Sequence, residues 1–234
     1  DYDYTELTEE QMDHLYYNCI IPDIQDGNIR NVDIFRSTDG YACNIEIEVM
    51  NSIDAFYMEE NGRKYLFWGS WHGLWGVELA DDGLALQPNT PKIPIAGNGY
   101  EAGLLHKHGD YYYLFASTGS CCEGLKSTYT TVVGRSKNLF GPYVNRKGEL
   151  MLSNHHEVVI EKNKDFVGPG HNSQLVTDDA GNDWIFYHGV NVKNPEGRVL
   201  MMSKIVWEDG WPTVENSSPA VTATAPYFKS QYKN

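Results

Sequence analysis

The chain has 234 residues, with 18 Lys plus Arg against 32 Asp plus Glu, for a formal net charge of −14. A field of that sign repels nucleic acid and anionic membranes and leaves neutral or cationic ligands. A hydrophobic fraction of 41% and a charged fraction of 21% are those of a folded globule, and no apolar run approaches the roughly 18 residues that a membrane helix needs.

Aromatics at 13%, with 22 Gly and 10 Pro, point to aromatic strands joined by tight turns rather than to a helix bundle. The length suits one large all-β domain. The cysteines Cys19, Cys43, Cys121 and Cys122 have no CxxC spacing, which argues against a thiolate metal site. The sequence opens on Asp1 with no basic and apolar leader, so the compartment is not readable from that end.

In residues 1–20, Thr8 and Gln11 have capping-box spacing, and Met12, Leu15 and Tyr16 recur at helical spacing. They predict one short N-terminal helix, with an arm docked on a neighbour as the alternative. Residues 1–50 differ in pattern from the rest of the chain, and 51–234 read as repeated β units.

From Asn51 the pattern changes to short apolar runs separated by Gly, Asn and Asp turns, the strand signature. The pattern repeats. Residues 52–57 up to Gly62 and then Tyr65-Leu66-Phe67-Trp68 align with residues 100–105 up to Gly109 and then Tyr112-Tyr113-Leu114-Phe115. A third copy starts at Gly170-His171-Asn172 and runs past Gly181 to Trp184-Ile185-Phe186-Tyr187. Further runs come after each copy at Leu74 to Leu79, Thr130 to Ser136 and Val199 to Trp207, and then a final edge strand. Four strands in a repeat of about 40 to 50 residues predict a β-propeller. A sandwich with coincidental hairpins is the competing fold.

The first strand of a propeller blade lines the channel, so Asp54, Glu101 and His171 at matched positions should meet at one mouth. Two carboxylates across a wet cleft can protonate a leaving oxygen and activate water. A lone Asp or Glu beside a turn more often caps backbone amides, but the matched register of Asp54 and Glu101 favours chemistry. His171 lies on a backbone cleared of bulk in Gly168-Pro169-Gly170-His171 and could hold water or a hydrated cation such as calcium. Trp68, Trp71, His72 and Trp75 offer flat faces for sugar rings, with Trp71 and His72 the substrate-binding candidates. In Tyr111-Tyr112-Tyr113 the outer two share one strand face, and none is assigned to substrate.

Together, Asn51-Ser52-Ile53-Asp54-Ala55-Phe56, Tyr100-Glu101-Ala102-Gly103, Tyr112 to Ser117, Gly119-Ser120-Cys121-Cys122 with Ser127-Thr128-Tyr129, Val133-Gly134-Arg135-Ser136, Gly141-Pro142-Tyr143 and Gly170-His171-Asn172-Ser173 resemble glycoside hydrolase family 43. The arabinanase-like subgroup is the nearest match, over about residues 51–228. The resemblance implies a five-bladed propeller and an inverting hydrolase of arabinofuranosides or xylosides, secreted or periplasmic. It implies Glu101 as general acid, Asp54 as the aspartate that orients the acid and keeps it protonated, and His171 as an axial histidine touching a cation or water. Arg198 is implied as an arginine of the last blade that approaches the site.

The family's general base is an aspartate on the first blade, and the stretch 31–41 resembles such a start, which makes Asp33 the base candidate. Yet only about 50 residues precede Asp54, where two blades need around 90. The chain is then a fragment, or a second chain or exchanged strands complete the propeller, or the base is lost. Two hypotheses stand: an inverting glycosidase acting on oligo- or polysaccharide, and a non-catalytic sugar- or protein-binding propeller. A WD or kelch scaffold is disfavoured because neither a closing Trp-Asp nor a double-glycine pattern recurs.

Overall fold

The computed structural model describes residues 51–229 and, before them, the backbone of strands 33–37 and 40–44. The chain divides into two compact units, Asp1–Asn51 and Ser52–Asn234. In the first, β1 (Asp33–Ser37) pairs antiparallel with β2 (Gly40–Asn44), with Asp33 opposite Asn44. The helix expected within residues 1–20 lies outside the described residues.

The second unit is built of antiparallel sheets in chain order. The first blade is β3 (Phe56–Glu60), β4 (Arg63–Trp68), β5 (Leu74–Leu79) and β6 (Ile93–Ala96), hydrogen-bonded in that sequence. Its opening hairpin turns on Asn61 and Gly62, both at positive φ (52° and 78°). That is the two-residue turn whose twist matches paired strands. The second blade is β7 (Glu101–His108), β8 (Tyr111–Thr118), β9 (Thr130–Ser136) and β10 (Glu157–Ile160), again in order.

Alternation along the strands of the second blade sends side chains into two separate cores. Tyr113, Phe115 and Val133 join Ile185, Tyr187 and Met201 of the next blade. Leu114, Ala116 and Val132 face the other way, against Tyr65, Phe67 and Leu74 of the blade before. A sheet apolar on both faces and sandwiched by neighbours is the packing of a propeller, not of a two-layer sandwich. Each fully buried Leu, Ile, Val or Phe among them contributes about 1.5–3 kcal/mol.

The third blade departs from the expected pattern. Its innermost strand is split into β11 (Phe166–Gly170) and β12 (Val176–Thr177), both paired to β13 (Asp183–Asn191), with β14 (Asn194–Lys204) outside. His171 therefore sits in the break after a strand, not at a strand start: the pairing with β13 is irregular between Val167 and Gly170, where Gly168 takes positive φ (64°), and it ends at Gly170, just before His171, also at positive φ (49°). The run expected at Val199 to Trp207 begins earlier, at Asn194, and is interrupted at Ile205, whose N–H bonds to the Asp183 carbonyl (2.8 Å). A hairpin of β15 (Val206–Glu208) and β16 (Trp211–Thr213) stands in place of one edge strand. The Asp178 carboxylate accepts from Asn182 N, Trp184 Nε1 and Tyr227 N, tying the C-terminal tail to this blade. Burial there works against ionisation, but those hydrogen bonds outweigh it and hold the carboxyl well below its usual range.

Candidate active site

Glu101 is the first residue of β7 and is buried, 9% exposed. Ser70 Oγ donates to its Oε2 (2.9 Å) and Tyr129 Oη to its Oε1 (2.5 Å). Both partners are hydroxyls, which can donate to a carboxylate or accept from a carboxylic acid, so the shell serves either protonation state. Ser70 arrives from the first blade through an isolated bridge with Glu101, and Tyr129 from the residue before β9. Burial, and then the bond to Glu101, push the Tyr129 phenol well above its ordinary value, so it stays a donor.

Asp54 and Ala102 both adopt left-handed backbone (φ 57° and 53°). Non-glycine residues rarely do so, and such outliers gather at functional sites. The Asp54 Oδ2 accepts from the Ala102 N–H (3.1 Å), pinning the irregularity that interrupts the β7–β8 register between Glu101 and Leu104. Asp54 thus reaches Glu101 through the backbone beside it. Its Oδ1 lies 3.8 Å from His171 Nε2, too far for a direct hydrogen bond and suited to a bridging water or ion. The His171 N–H is anchored on buried Ser117 Oγ (2.8 Å), and Ser117 pairs with Glu101 across the ladder. Asp54, Glu101 and His171 are therefore brought together.

Arg198 on β14 faces His188 within β13, Nη1 to Nε2 at 3.1 Å. A guanidinium only donates, so His188 Nε2 accepts and its proton sits on Nδ1. That Nδ1 is buried with no partner among the described residues. Burial, then the charges of Arg198 and His171, lower the His188 imidazole to about 4. His188 stacks on Tyr129 (5.8 Å, 14°) and leans on His171 (6.0 Å), so Glu101, Tyr129, His188 and Arg198 form one contact chain. Gly170 is what lets β11 pass: a Cβ there would lie 2.3 Å from Tyr129 Cδ1.

Trp71 is exposed (37%), and its N–H bonds to the carbonyl of Tyr100 (2.8 Å), next to Glu101. His72 beside it is exposed as well. Trp75 is instead core, 3% exposed, and Trp68, its cross-strand partner on β4, is half-buried. Neither is a free stacking face. Asp33 opens β1 in the first unit, and its side chain lies outside the described residues.

Ser70 and His188 carry no signal in the sequence, and Ser117 and Tyr129 enter there only as parts of the Tyr112 to Ser117 and Ser127-Thr128-Tyr129 motifs. Their roles rest on contacts between blades, which no local spacing announces. The loop carrying Tyr129 also holds a disulfide between the adjacent Cys121 and Cys122.

The family model described as Glycosyl hydrolases family 43 matches residues 37–212, well over half of the chain. The chain belongs to that family. Among curated relatives, this family 43 chain is 34% identical over 187 residues to the extracellular exo-α-(1→5)-L-arabinofuranosidase ArbA of Cellvibrio japonicus, covering 72% of this chain and 53% of that protein. It is 29% identical over 170 residues to the extracellular endo-α-(1→5)-L-arabinanase 1 of Bacillus subtilis, covering 70% and 50%. The chain spans about half the length of these curated relatives. Among solved structures it is similar to the Cellvibrio cellulosa α-L-arabinanase complexed with arabinohexaose, with TM-score 0.67 and 30% identity over 77% of this chain and 64% of that one.

Proposed function

We propose that this family 43 chain carries the acid side of an inverting glycosidase that cleaves α-1,5-linked arabinan outside the cell. The observation that carries the reading is the buried Glu101 carboxyl, held by two hydroxyls at a mouth shared with Asp54 and His171. Relatives named as arabinanases and as an arabinofuranosidase support the substrate class. The names of two of them, as extracellular enzymes, support the compartment.

In this reading Glu101 gives its proton to the glycosidic oxygen as the bond breaks, and water attacks the anomeric carbon from the opposite face. A second carboxylate about 6.5–9.5 Å from the acid takes the proton of that water. Asp54 is committed to the Ala102 N–H and acts by fixing where Glu101 stands. For that second carboxylate, Asp33, the base that the resemblance implies, is our candidate. Trp71 and His72 offer the sugar a flat exposed surface, and Arg198 closes the wall behind Tyr129.

The gap between His171 Nε2 and Asp54 Oδ1 fits a largely hydrated cation, since one imidazole and one carboxylate are too few for a protein cage around calcium. Those two residues would hold it, and it would supply fixed positive charge at the mouth. The decisive assay tracks linear α-1,5-arabino-oligosaccharides by NMR. Release of product with inverted anomeric configuration, abolished by Asp33→Ala, is expected. An inactive 234-residue chain supports completion of the propeller by further strands; turnover indifferent to Asp33→Ala overturns Asp33 as the base, and a retained configuration overturns the inverting mechanism.

A further inference from the structure

At the opposite end of β7 from Glu101 the sequence reads His106-Lys107-His108. Residues two apart on a strand share a face. Here it is the face of Leu104, which packs into the core shared with Ile185 and Tyr187 of β13. Alternation on β13 places Asp183 on the side of Ile185 and Tyr187, so Asp183 looks back at the two histidines. The ligand atoms of His106, His108 and Asp183 all lie within 4.8 Å of one another. Seven residues of strand at about 3.3 Å each separate His108 from Glu101, on the order of 20 Å. The cluster is remote from the acid.

We propose that His106, His108 and Asp183 form a binding site for a zinc-class divalent transition metal that clamps the second and third blades together. Two imidazoles and a carboxylate suit zinc, nickel or copper, whereas magnesium and calcium prefer shells of oxygen alone. The carboxylate is already aimed: Thr177 Oγ1 donates to Asp183 Oδ1 (2.6 Å) and Trp207 Nε1 to Oδ2 (2.8 Å). Such outer hydrogen bonds orient metal ligands and leave further lone pairs free. The indole of Trp207 also lies flat on His108 at 3.7 Å between ring centres, fixing the ring and walling the site on one side. His108 keeps 42% of its side chain exposed, which gives the ion a way in and water a place as a fourth ligand. The ligands come from separate blades, and the wall from the β15–β16 hairpin, so only the folded chain presents the set. Bound metal therefore stabilises the fold by mass action.

Calorimetric titration of the chelator-treated chain with zinc chloride, with magnesium chloride as control, tests this. One zinc per chain is expected, at least about tenfold weaker in His106→Gln and in His108→Gln, with a zinc-dependent rise in thermal midpoint that magnesium does not give. His155→Gln, at an exposed histidine outside the cluster, should leave the zinc isotherm unchanged. Undetectable zinc binding, or binding unaltered in both histidine variants while their circular dichroism is native, overturns the proposal. X-ray absorption at the zinc edge needs no variant: two imidazoles per zinc are expected, and any other number contradicts the site.

Discussion

Tyr129 works at once as hydrogen-bond donor to Glu101 and as stacking partner to His188, and that pairing ties the acid to a histidine that must stay neutral. The His188 imidazole sits at about 4 in the folded chain, against about 6.5 when unfolded. Between those values the unfolded chain binds more protons, so stability is full above pH 6.5 and declines as pH falls toward 4. Replacing His188 by Gln should flatten that decline by about 1–2 kcal/mol, once solvent screening of a partly buried ring is allowed for. Thermal midpoints of the two proteins at pH 7 and pH 4.5 read the difference. Equal losses on acidification in both would remove His188 as the cause.

Among elements, the strand limits were plain in the sequence where pattern and turn chemistry agreed. The runs Leu74 to Leu79 and Thr130 to Ser136 are β5 and β9 as expected, because apolar residues bounded by Gly and polar turns leave one register. The repeat pointed to Asp54, Glu101 and His171 as neighbours, but not to the position of His171, which follows the end of β11 instead of opening a strand as Glu101 does. The split of the third inner strand was not legible: Gly168-Pro169-Gly170 announces a backbone cleared of bulk, but only the packed neighbour Tyr129 shows why. The Ser70 and Tyr129 bonds to Glu101 span 31 and 28 residues, and no periodicity encodes such pairs. Gly170 gives a test at this level. Gly170→Ala puts a methyl where Tyr129 stands, and shifting that ring by about 1 Å should cost on the order of a hundredfold in kcat/KM with far-UV circular dichroism unchanged. Native kinetics in this variant would show that the close approach of β11 has no part in the site.

At the scale of the molecule, the four-stranded blades of the second unit share cores pairwise, so the mouth that carries Glu101 is held by packing on both faces of the second blade. The expectation that a second polypeptide or exchanged strands complete the propeller remains a proposal beside the Asp33 assignment, and the mass of the native assembly in solution bears on it. Everything proposed for the mouth turns on Glu101 as the proton donor to the leaving oxygen. Turnover by Glu101→Gln of linear α-1,5-arabinan, and of an aryl arabinofuranoside with a good leaving group, tests that role directly. A fall of about 10²–10⁴ on the polysaccharide is expected, with a much smaller fall on the aryl substrate and retained oligosaccharide binding. Near-native turnover of the polysaccharide by that variant would contradict it.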